Sequence, residues 1–538
     1  MTERTSGRAV DQWRTRFEAA LLPAGEDGRP RFRRKEHDLV SLLLASAAAT
    51  PDHPCLTDGV TGETFTYASV ERCVLALAGQ LRRRGFQPGD RLALIDPASP
   101  ASVMMLLATL AAGGVAVPLN ERLHPSELTS LLASVRPRAI ATSRSTVDFW
   151  PSPDLILIDP AVAVSEARHA PRASDPVAPS PGAWAFILHT GGTTGQPKSV
   201  VLSHDAVIQN LTFFRLGLGL DERDRALVAA PLFHVTGLMA QVLHMLEIGG
   251  ESVLLPRFDA RTFVDVAAST AATYSCVVPT MVRLLLQELG GGRGGETLRL
   301  LLYGGAPMDP ATLSRFAERL PQVGLVNTYG ATETSGSATF LPAELAAHHP
   351  TSVGFESPVV RLTLNGEESA PAPDGGFVER GIIAMSGVST SPGYLVWDGD
   401  DPSVTPFPPG GWSSGDEGGR DADGLLHILG RIDDIVNKGG EKIHPEEIER
   451  YLLAHDAVVE AAVCGVPDAM YGQELLAAVV PRPGRTLSDD EVRAHLSQFV
   501  GRFKIPRYVE VVSELPRTAA GKINKREIAS AHPAHHTR

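Results

Sequence analysis

Short apolar runs typical of buried strands recur through the first half of this 538-residue chain, and segments with helical spacing separate them. Strands that alternate with helices predict an α/β architecture with largely parallel sheets. A chain of this length exceeds what one hydrophobic core usually organises, so at least two domains are expected. The predicted strands are residues 92–95, 115–117, 155–158, 185–188, 226–229 and 252–255.

The uncharged stretch 101–119 is tested first as a membrane span, because a transmembrane helix needs about 20 apolar residues. Gly113 and Gly114 would break such a helix, and Pro118 would end it. We therefore predict a helix to about Ala112, then a turn and a buried strand, and no membrane span.

The composition indicates which kinds of partner the protein binds and in which cellular compartment it lies. The formal net charge of -13 argues against a nucleic-acid partner, which would call for a basic face. Four scattered cysteines form no C-x-x-C pair, so neither a disulfide framework nor a zinc site is expected. The polar N-terminus shows no apolar signal core. These features predict a cytoplasmic protein with reduced thiols.

The C-terminal part of the chain differs in character from the rest. Pro445 is followed by two acidic residues, a pattern typical of a helix start. Ser488 and Glu491 form a capping box that opens a second helix. A small α+β domain is predicted, with its boundary near residues 431–434. Its three strands are predicted at residues 458–463, 475–480 and 508–512.

The loop from Thr190 to Lys198 combines three glycines, three threonines and a lysine between two apolar runs. Glycine lets backbone N–H groups approach an anion closely, while the hydroxyls and the ammonium add donors and charge. The loop is not a Walker A motif, because Pro197 has no N–H to donate where that motif needs glycine. Residues 199–202 after it predict a strand instead of a helix. We interpret the segment as a phosphate-binding loop of another kind.

Six further motifs follow this loop in a fixed order. A glycine-rich turn or a Gly-Asp pair is weak evidence by itself. Seven elements in order across more than 300 residues are not a chance pattern. The motifs are PLFH at 231–234, YGGAP at 303–307, YGATE at 329–333, WSSGD at 412–416, GRIDD at 430–434 and PRTAAGKI at 516–523.

Together these motifs resemble the adenylate-forming (ANL) superfamily, which includes acyl-CoA synthetases, aryl-CoA ligases, peptide-synthetase adenylation domains and firefly-type luciferases. The resemblance implies a large N-terminal domain of two α/β subdomains plus a small β-barrel, followed by a small mobile α+β domain. It places the AMP-binding domain at 1–431 and the mobile domain at 432–538, with a hinge near Asp433. It also implies the cofactors ATP, Mg²⁺ and coenzyme A.

The resemblance implies roles for individual residues. Lys522 carries the adenylation step, because a lysine between two anions cancels their repulsion. Glu333 binds Mg²⁺, a cation that prefers carboxylate oxygen, and Thr332 donates to phosphate. His234 matches a gate residue beside the acyl group. Thr193, Thr194 and Lys198 hold the β- and γ-phosphates, Tyr329 stacks on adenine against Gly305, Ala306 and Pro307, and Asp416 and Arg431 hold the ribose or phosphate.

The remaining nucleotide and CoA contacts follow from the same resemblance. Glycines after the hinge would let the narrow pantetheine arm pass to the active site. These contacts are assigned to Thr190, Gly191, Gly192, Gly195, Asn327, Thr328, Gly330, Ile428, Lys438, Gly439, Gly440 and Lys442.

Each assignment has a structural alternative. Tyr329 could be a core aromatic residue, Asp416 a turn cap and Arg431 half of a surface ion pair. His234 could be a buried histidine with an ordinary partner, and Lys522 could belong to a solvated basic end.

The chain departs from the family pattern at several positions. Ser199 stands where glycine is usual, and Gly191 where serine is common, but both are small. Lys442 replaces the asparagine found in many CoA ligases. This difference leaves two alternatives for the acceptor thiol, that of CoA and that of a carrier protein. His234 stands where amino-acid-activating members carry aspartate, which argues against an amino-acid substrate.

The leading prediction is a carboxylic acid–CoA ligase that forms acyl-AMP and pyrophosphate and then transfers the acyl or aryl group to the CoA thiol. The alternative is a stand-alone ligase that loads the phosphopantetheine of a carrier protein. The substrate is a small-molecule carboxylic acid, and the protein is expected to be a monomer or a homodimer. The acyl pocket is predicted to include His234, Gly237, Met239, Thr280, Gly304 and Gly336.

Overall fold

The structure is a computed structural model. It describes residues 13, 15–23, 29–144, 155–170, 175–180, 182–190, 197–289, 295–346, 348–366, 377–438, 441–468, 470–518 and 522–533. Seven predicted site residues therefore lie outside the described residues: Gly191, Gly192, Thr193, Thr194, Gly195, Gly439 and Gly440.

The strands, in chain order, are β1 Leu21–Leu22, β2 Arg31–Phe32, β3 Pro54–Asp58, β4 Thr64–Thr66, β5 Arg91–Leu94, β6 Val115–Pro118, β7 Ala139–Ala141, β8 Ile156–Ile158, β9 Trp184–Thr190, β10 Lys198–Ser203, β11 Arg225–Val228, β12 Glu251–Leu254, β13 Tyr274–Val277 and β14 Leu300–Gly304. They continue with β15 Gly324–Ala331, β16 Gly336–Leu341, β17 Ser352–Glu356, β18 Val360–Asn365, β19 Glu379–Gly387, β20 Gly393–Asp398, β21 Asp401–Pro406, β22 Trp412–Arg420, β23 Leu426–Arg431, β24 Val436–Lys438, β25 Glu441–Ile443, β26 Val458–Asp468, β27 Gly472–Pro481 and β28 Tyr508–Val511.

The helices are α1 Leu39–Ala49, α2 Tyr67–Arg83, α3 Pro100–Ala111, α4 Pro125–Val135, α5 Pro160–Ala167, α6 His204–Leu218, α7 Val235–Gly237, α8 His244–Ile248, α9 Ala260–Thr270, α10 Pro279–Glu288, α11 Pro310–Arg319, α12 Ala343–Ala346, α13 Pro445–Leu453, α14 Asp489–Leu496 and α15 Lys525–Ala531. A π-helical segment, Leu238–Leu243, joins α7 to α8. Short 3₁₀ turns occur at Thr332–Thr334, Ile432–Asp434 and Arg502–Lys504.

Two large mixed sheets organise the N-terminal domain. One has eight strands in the order β21-β20-β10-β9-β6-β5-β7-β8, and the other has thirteen in the order β18-β19-β22-β23-β17-β16-β15-β14-β13-β11-β12-β3-β4. The predicted strands 92–95, 185–188, 226–229 and 252–255 pair in parallel within them. The expectation of largely parallel sheets is wrong for one side of each sheet. Strands β21, β20, β10 and β9 pair antiparallel in the eight-stranded sheet. Strands β18, β19, β22, β23, β17, β16 and β15 do so in the thirteen-stranded sheet.

The main hydrophobic core lies between these two sheets. Helices α1, α2, α3 and α6 contribute buried residues that pack against the facing strands of both sheets. Phe213 on α6 stacks on Phe340 of β16 with their ring centroids 4.4 Å apart. Burial of such side chains stabilises the layered arrangement by about 1.5–3 kcal/mol each.

The uncharged stretch 101–119 folds as predicted. Ser99 caps α3 by accepting a hydrogen bond from the backbone of Ser102, and Pro100 occupies the first turn. The helix ends at Ala111, and a turn leads to the buried strand β6. Among the described residues, no helix is long and apolar enough to cross a membrane.

The C-terminal domain has a sheet of its own, with the order β25-β24-β27-β26 and β28 paired with β27. The predicted helices begin at Pro445 and after Ser488, whose side chain forms the expected capping box with Glu491. The two helices and three strands predicted for this domain are fewer than the structure contains. Two further strands, β24 and β25, and helix α15 complete the domain. β24 and β25 form a hairpin with each other, and β24 joins it to the domain sheet by pairing with β27.

Candidate active site

The site lies at the carboxyl edge of the parallel strands in the thirteen-stranded sheet. Strand β14 ends at Gly304, which is paired with Thr328 of β15. A Cβ atom on Gly304 would lie 2.5 Å from the Thr328 carbonyl oxygen, so only glycine fits. Gly305 follows with a φ of +79°, and Ala306 and Pro307 are exposed to solvent. The loop opens a crevice at the edge where α/β proteins bind ligands.

Tyr329, Asp416 and Arg431 form one hydrogen-bonded group beside this loop. The Tyr329 hydroxyl donates to Asp416 Oδ2 at 2.5 Å, and Arg431 Nη1 donates to Asp416 Oδ1 at 3.0 Å. Strand pairing places Asp416 on β22 directly opposite Arg431 on β23. Burial and the Asp416 charge raise the pKa of Tyr329 well above 10, so the phenol stays a donor. The Asp416 carboxylate is thereby fixed in place with acceptor sites left over.

Glu333 lies in the 3₁₀ turn that follows β15 and is buried, with 5 % of its surface exposed. The Tyr394 hydroxyl donates a hydrogen bond to Glu333 Oε1 at 3.0 Å. Burial raises the pKa of Glu333, while this hydrogen bond and the charges of Lys198 and Lys522 oppose the rise.

The chemistry of this carboxylate fits Mg²⁺. The described residues contain no group of three or more His, Cys, Asp or Glu side chains arranged to hold a metal ion. Mg²⁺ in nucleotide sites is held by one or two carboxylates together with phosphate and water. One buried carboxylate is therefore sufficient as the protein ligand.

The phosphate-loop segment connects two paired strand ends. Lys198 on β10 stands opposite Thr190 on β9, so the two described residues nearest the ends of this segment are paired neighbours in the sheet. The Lys198 ammonium lies 5.0 Å from the ring centroid of Tyr394. The predicted strand after the loop is confirmed as β10.

Lys522 reaches the same cleft from the C-terminal domain. Its pKa lies below 10.5 mainly because the surrounding protein desolvates the ammonium; Asp416 and Glu333 raise it, and Arg431 lowers it. Lys522 as a residue is nevertheless exposed to solvent.

Besides burial, the positive charge of Lys522 lowers the pKa of His234. Burial, and then the positive charges of Lys522 and Arg122, lower the pKa of His234 to about 4. Its Nε2 atom is buried without a hydrogen-bond partner among the described residues. The imidazole is therefore neutral at physiological pH.

Contacts across the domain boundary hold Lys522 near the cleft. His444 Nε2, at the start of α13, lies 3.3 Å from Glu417 Oε2 on β22. Arg315 on α11 lies 3.4 Å from Asp456 of the C-terminal domain. Gly430 packs against the same region, where an added Cβ would lie 2.5 Å from Glu446.

Some predicted site residues are engaged elsewhere. The Asn327 amide donates to the Ser352 carbonyl at 2.7 Å, and the Thr328 hydroxyl lies 2.8 Å from the Thr339 carbonyl. Lys438 pairs with the buried Glu474 at 2.5 Å inside the C-terminal domain. Their side chains have internal partners in this conformation.

Four other predicted positions are defined mainly by the strand or turn in which they lie. Ile428 packs in an apolar cluster with Tyr329 and Trp412, and the backbone of Lys442 pairs with Asn437. Gly330 sits at a bulge where a Cβ would lie 2.0 Å from the Gly336 carbonyl oxygen. Thr332 opens the 3₁₀ turn that carries Glu333.

Sequence reasoning missed Tyr394, which contacts both Glu333 and Lys198. The only local signal is its position after Pro392-Gly393 at the start of a strand. That pattern indicates a turn into a strand and does not identify the two residues that Tyr394 meets.

The fold and the site define an adenylate-forming enzyme. The chain matches the AMP-binding enzyme family over residues 43–395 and the AMP-binding enzyme C-terminal domain over residues 447–522. The chain belongs to the AMP-binding enzyme family and, within the adenylate-forming superfamily, to the acyl- and aryl-CoA ligases.

Two relatives are acid–thiol ligases that differ in the acceptor their names give. A sulfoacetate–CoA ligase from Cupriavidus necator is 32 % identical, with 90 % of this chain and 96 % of that protein covered. A fatty acid–[acyl-carrier-protein] ligase, ScoC, from Streptomyces coeruleorubidus is 30 % identical, with 92 % and 97 % covered.

Solved structures of o-succinylbenzoate CoA synthetase (MenE) from Bacillus subtilis share the fold. The complex with the acyl-adenylate OSB-AMP has a TM-score of 0.80 at 27 % identity, covering 91 % of this chain and 98 % of that one. The complex with ATP and magnesium has a TM-score of 0.77 at 27 % identity, covering 90 % and 98 %.

Proposed function

We propose that this protein is an ATP-dependent carboxylic acid–CoA ligase that releases AMP and pyrophosphate. The observation that carries the proposal is the convergence of Lys522 with Glu333 and Asp416 in one cleft. These residues come from three distant segments and supply a cation, a metal-binding carboxylate and a hydroxyl acceptor. ATP, Mg²⁺ and coenzyme A are the cofactors that the family uses.

In the first step, a carboxylate oxygen of the substrate attacks the α-phosphorus of ATP, and the bond to pyrophosphate breaks. Both reactants are anionic, so a cation between them lowers the barrier. Lys522 is the group that we assign to this task. His234 is neutral and places no charge beside the acyl carboxylate.

The nucleotide is held by residues from both large sheets. Asp416, fixed by Tyr329 and Arg431, accepts the ribose hydroxyls. Lys198 binds the outer phosphates, and Glu333 holds Mg²⁺ with Thr332 donating to phosphate. When bound, Mg²⁺ neutralises charge on the phosphates. In the second step, the CoA thiolate attacks the acyl carbonyl and AMP leaves.

We further propose that residues 1–431 form the AMP-binding domain and residues 432–538 the mobile domain, with a hinge at Asp433. Asp433 is exposed and lies in the 3₁₀ turn that follows β23, which supports a pivot at this point. Rotation there would withdraw Lys522 and bring Gly439, Gly440 and Lys442 to the thiol path.

A carrier protein is the second candidate acceptor. The fatty acid–[acyl-carrier-protein] ligase ScoC is a relative that spans nearly the whole chain. Lys442 in place of asparagine favours this alternative. In that case the chemistry of the first step is the same, and only the source of the thiol differs.

A cytoplasmic location is supported by the thiols. All four cysteines are free and buried, which suits a reducing compartment. A monomer or a homodimer remains our prediction for the oligomeric state.

The test is AMP, pyrophosphate and thioester formation with a panel of acids. The panel is a broad set of aromatic and aliphatic acids that includes sulfoacetate, o-succinylbenzoate and a fatty acid. Each acid is tested with CoA, with a phosphopantetheinyl carrier protein, and without an acceptor. CoA-dependent AMP and thioester formation support the CoA ligase. An acyl-AMP that is discharged only by the carrier protein supports the alternative. No pyrophosphate release with any acid of a broad aromatic and aliphatic panel would refute both.

A further inference from the structure

Tyr394 stands at the junction of the two large sheets. It is the second residue of β20, and it pairs with Val200 on β10, two residues beyond Lys198. Gly393 before it has a φ of +149°, and a Cβ there would lie 2.1 Å from the Thr405 carbonyl oxygen. The backbone that presents Tyr394 is therefore sterically fixed.

The hydroxyl of Tyr394 has a defined direction. Trp412 Nε1 lies 3.1 Å from this oxygen, and an indole nitrogen is only a donor, so the hydroxyl accepts there. The Tyr394 proton is then free to point at Glu333 Oε1, 3.0 Å away. The two hydrogen bonds form a chain from Trp412 through Tyr394 to Glu333.

The ring of Tyr394 has a separate contact. Its face meets the Lys198 ammonium at 5.0 Å, a distance typical of a cation–π interaction. Phe407 packs against the same ring edge-on at 5.2 Å and limits its rotation. One side chain thus contacts both the Glu333 carboxylate and the Lys198 ammonium.

We propose that Tyr394 is a positioning residue of the ATP site, which orients Glu333 through its hydroxyl and Lys198 through its ring. The proposal rests on the proposed function, in which these two residues bind Mg²⁺ and the outer phosphates. Because the two contacts use different parts of the side chain, they can be removed separately.

The variants are Tyr394→Phe, which keeps the ring, Tyr394→Leu, which removes both contacts, and Trp412→Phe, which removes the donor to the hydroxyl. Tyr508→Phe, on the C-terminal domain, is the matched control. The full-length proteins are titrated calorimetrically with ATP, once with MgCl₂ and once with EDTA, without a carboxylic acid. Melting temperatures are recorded in parallel.

The Mg²⁺-dependent gain is the ratio of the ATP affinity in MgCl₂ to that in EDTA. We expect this ratio to be about tenfold smaller in Tyr394→Phe, because a hydrogen bond to a charged group is removed. Its ATP affinity in EDTA should stay within about threefold of the unmodified protein because the ring contact remains. Tyr394→Leu should lose affinity in both buffers. Trp412→Phe should also reduce the Mg²⁺-dependent gain in ATP affinity, but by less than Tyr394→Phe does. The double variant Tyr394→Phe/Trp412→Phe should lose no more of this gain than Tyr394→Phe alone.

The proposal is overturned if Tyr394→Phe keeps the full Mg²⁺-dependent gain. It is also overturned if this variant loses affinity equally in both buffers together with melting temperature, which indicates a packing role. Failure of the unmodified protein to bind ATP in either buffer would instead reject the proposed function.

Discussion

Replacing Asp416 with alanine tests both the stability and the nucleotide role of the bridge between Tyr329 and Arg431. The Tyr329 hydroxyl donates at 2.5 Å and the Arg431 guanidinium at 3.0 Å to the two oxygens of this carboxylate. A carboxylate offers about four acceptor sites, so two remain for the ribose hydroxyls. Asp416→Ala therefore removes two protein contacts and two ligand contacts.

The expected loss of stability follows from the exposure of each partner. A buried hydrogen bond to a charged group contributes about 1.5–3 kcal/mol, which applies to Tyr329. The Arg431 side chain is 43 % exposed, so its ion pair contributes at most about 1 kcal/mol. We expect the free energy of unfolding to fall by about 2–4 kcal/mol.

Asp416→Ala should also weaken the binding of AMP. Two ribose hydrogen bonds of about 1.5 kcal/mol each correspond to a roughly 100-fold weaker Kd for AMP. Asp416→Asn keeps one acceptor oxygen and should lose roughly tenfold.

Calorimetric titration with AMP and denaturant unfolding measure the two effects. Asp400→Asn is the matched control, because Asp400 is fully exposed and pairs only at the surface with Arg136 at 3.2 Å. If folded Asp416→Ala binds AMP within about threefold of the unmodified protein, the ribose assignment is refuted. An unchanged unfolding free energy would refute the bridge to Tyr329.

Three further predictions concern the catalytic lysine, the hinge and the thiols. Lys522→Ala should slow pyrophosphate release roughly 100- to 1000-fold while leaving thioester formation from supplied acyl-AMP nearly intact. Because the pKa of Lys522 is lowered, its charge is lost as pH rises, so adenylation should fall with a midpoint below 10.5, and this limb should vanish in the variant. Asp433→Pro should impair thioester formation more than adenylation in separate half-reaction assays, and equal losses would reject the hinge. Burial raises the pKa of all four cysteines, to about 12 for Cys464, so a thiol reagent should react fast with none of them until the protein is denatured; one rapid equivalent in the native protein contradicts this.

Local sequence patterns predicted the elements whose signals lie within a few residues. The apolar run that begins at Leu39 gives helix α1, and the Ser488 capping box gives helix α14. Gly113 and Pro118 correctly divided the stretch 101–119 into a helix and a strand. Capping, turn formation and periodicity act over short distances, so they are visible without the fold.

Long-range pairing was not visible in this way. The antiparallel pairings of β10 with β20, of β19 with β22 and of β24 with β27 join strands that are far apart along the chain. Lys438 appeared as a ligand contact in the motif pattern, but the fold pairs it with Glu474. A sequence pattern records residue types and does not record which distant charge burial brings near.

The sequence by itself determined the family, the order of the motifs and the residue types of the chemistry. Lys522, Glu333 and Asp416 were named from motifs because nucleotide chemistry restricts which side chains serve. Only the tertiary structure decided that Tyr394 contacts both Glu333 and Lys198. These contacts join segments tens to hundreds of residues apart, and they exist only after the sheets have packed.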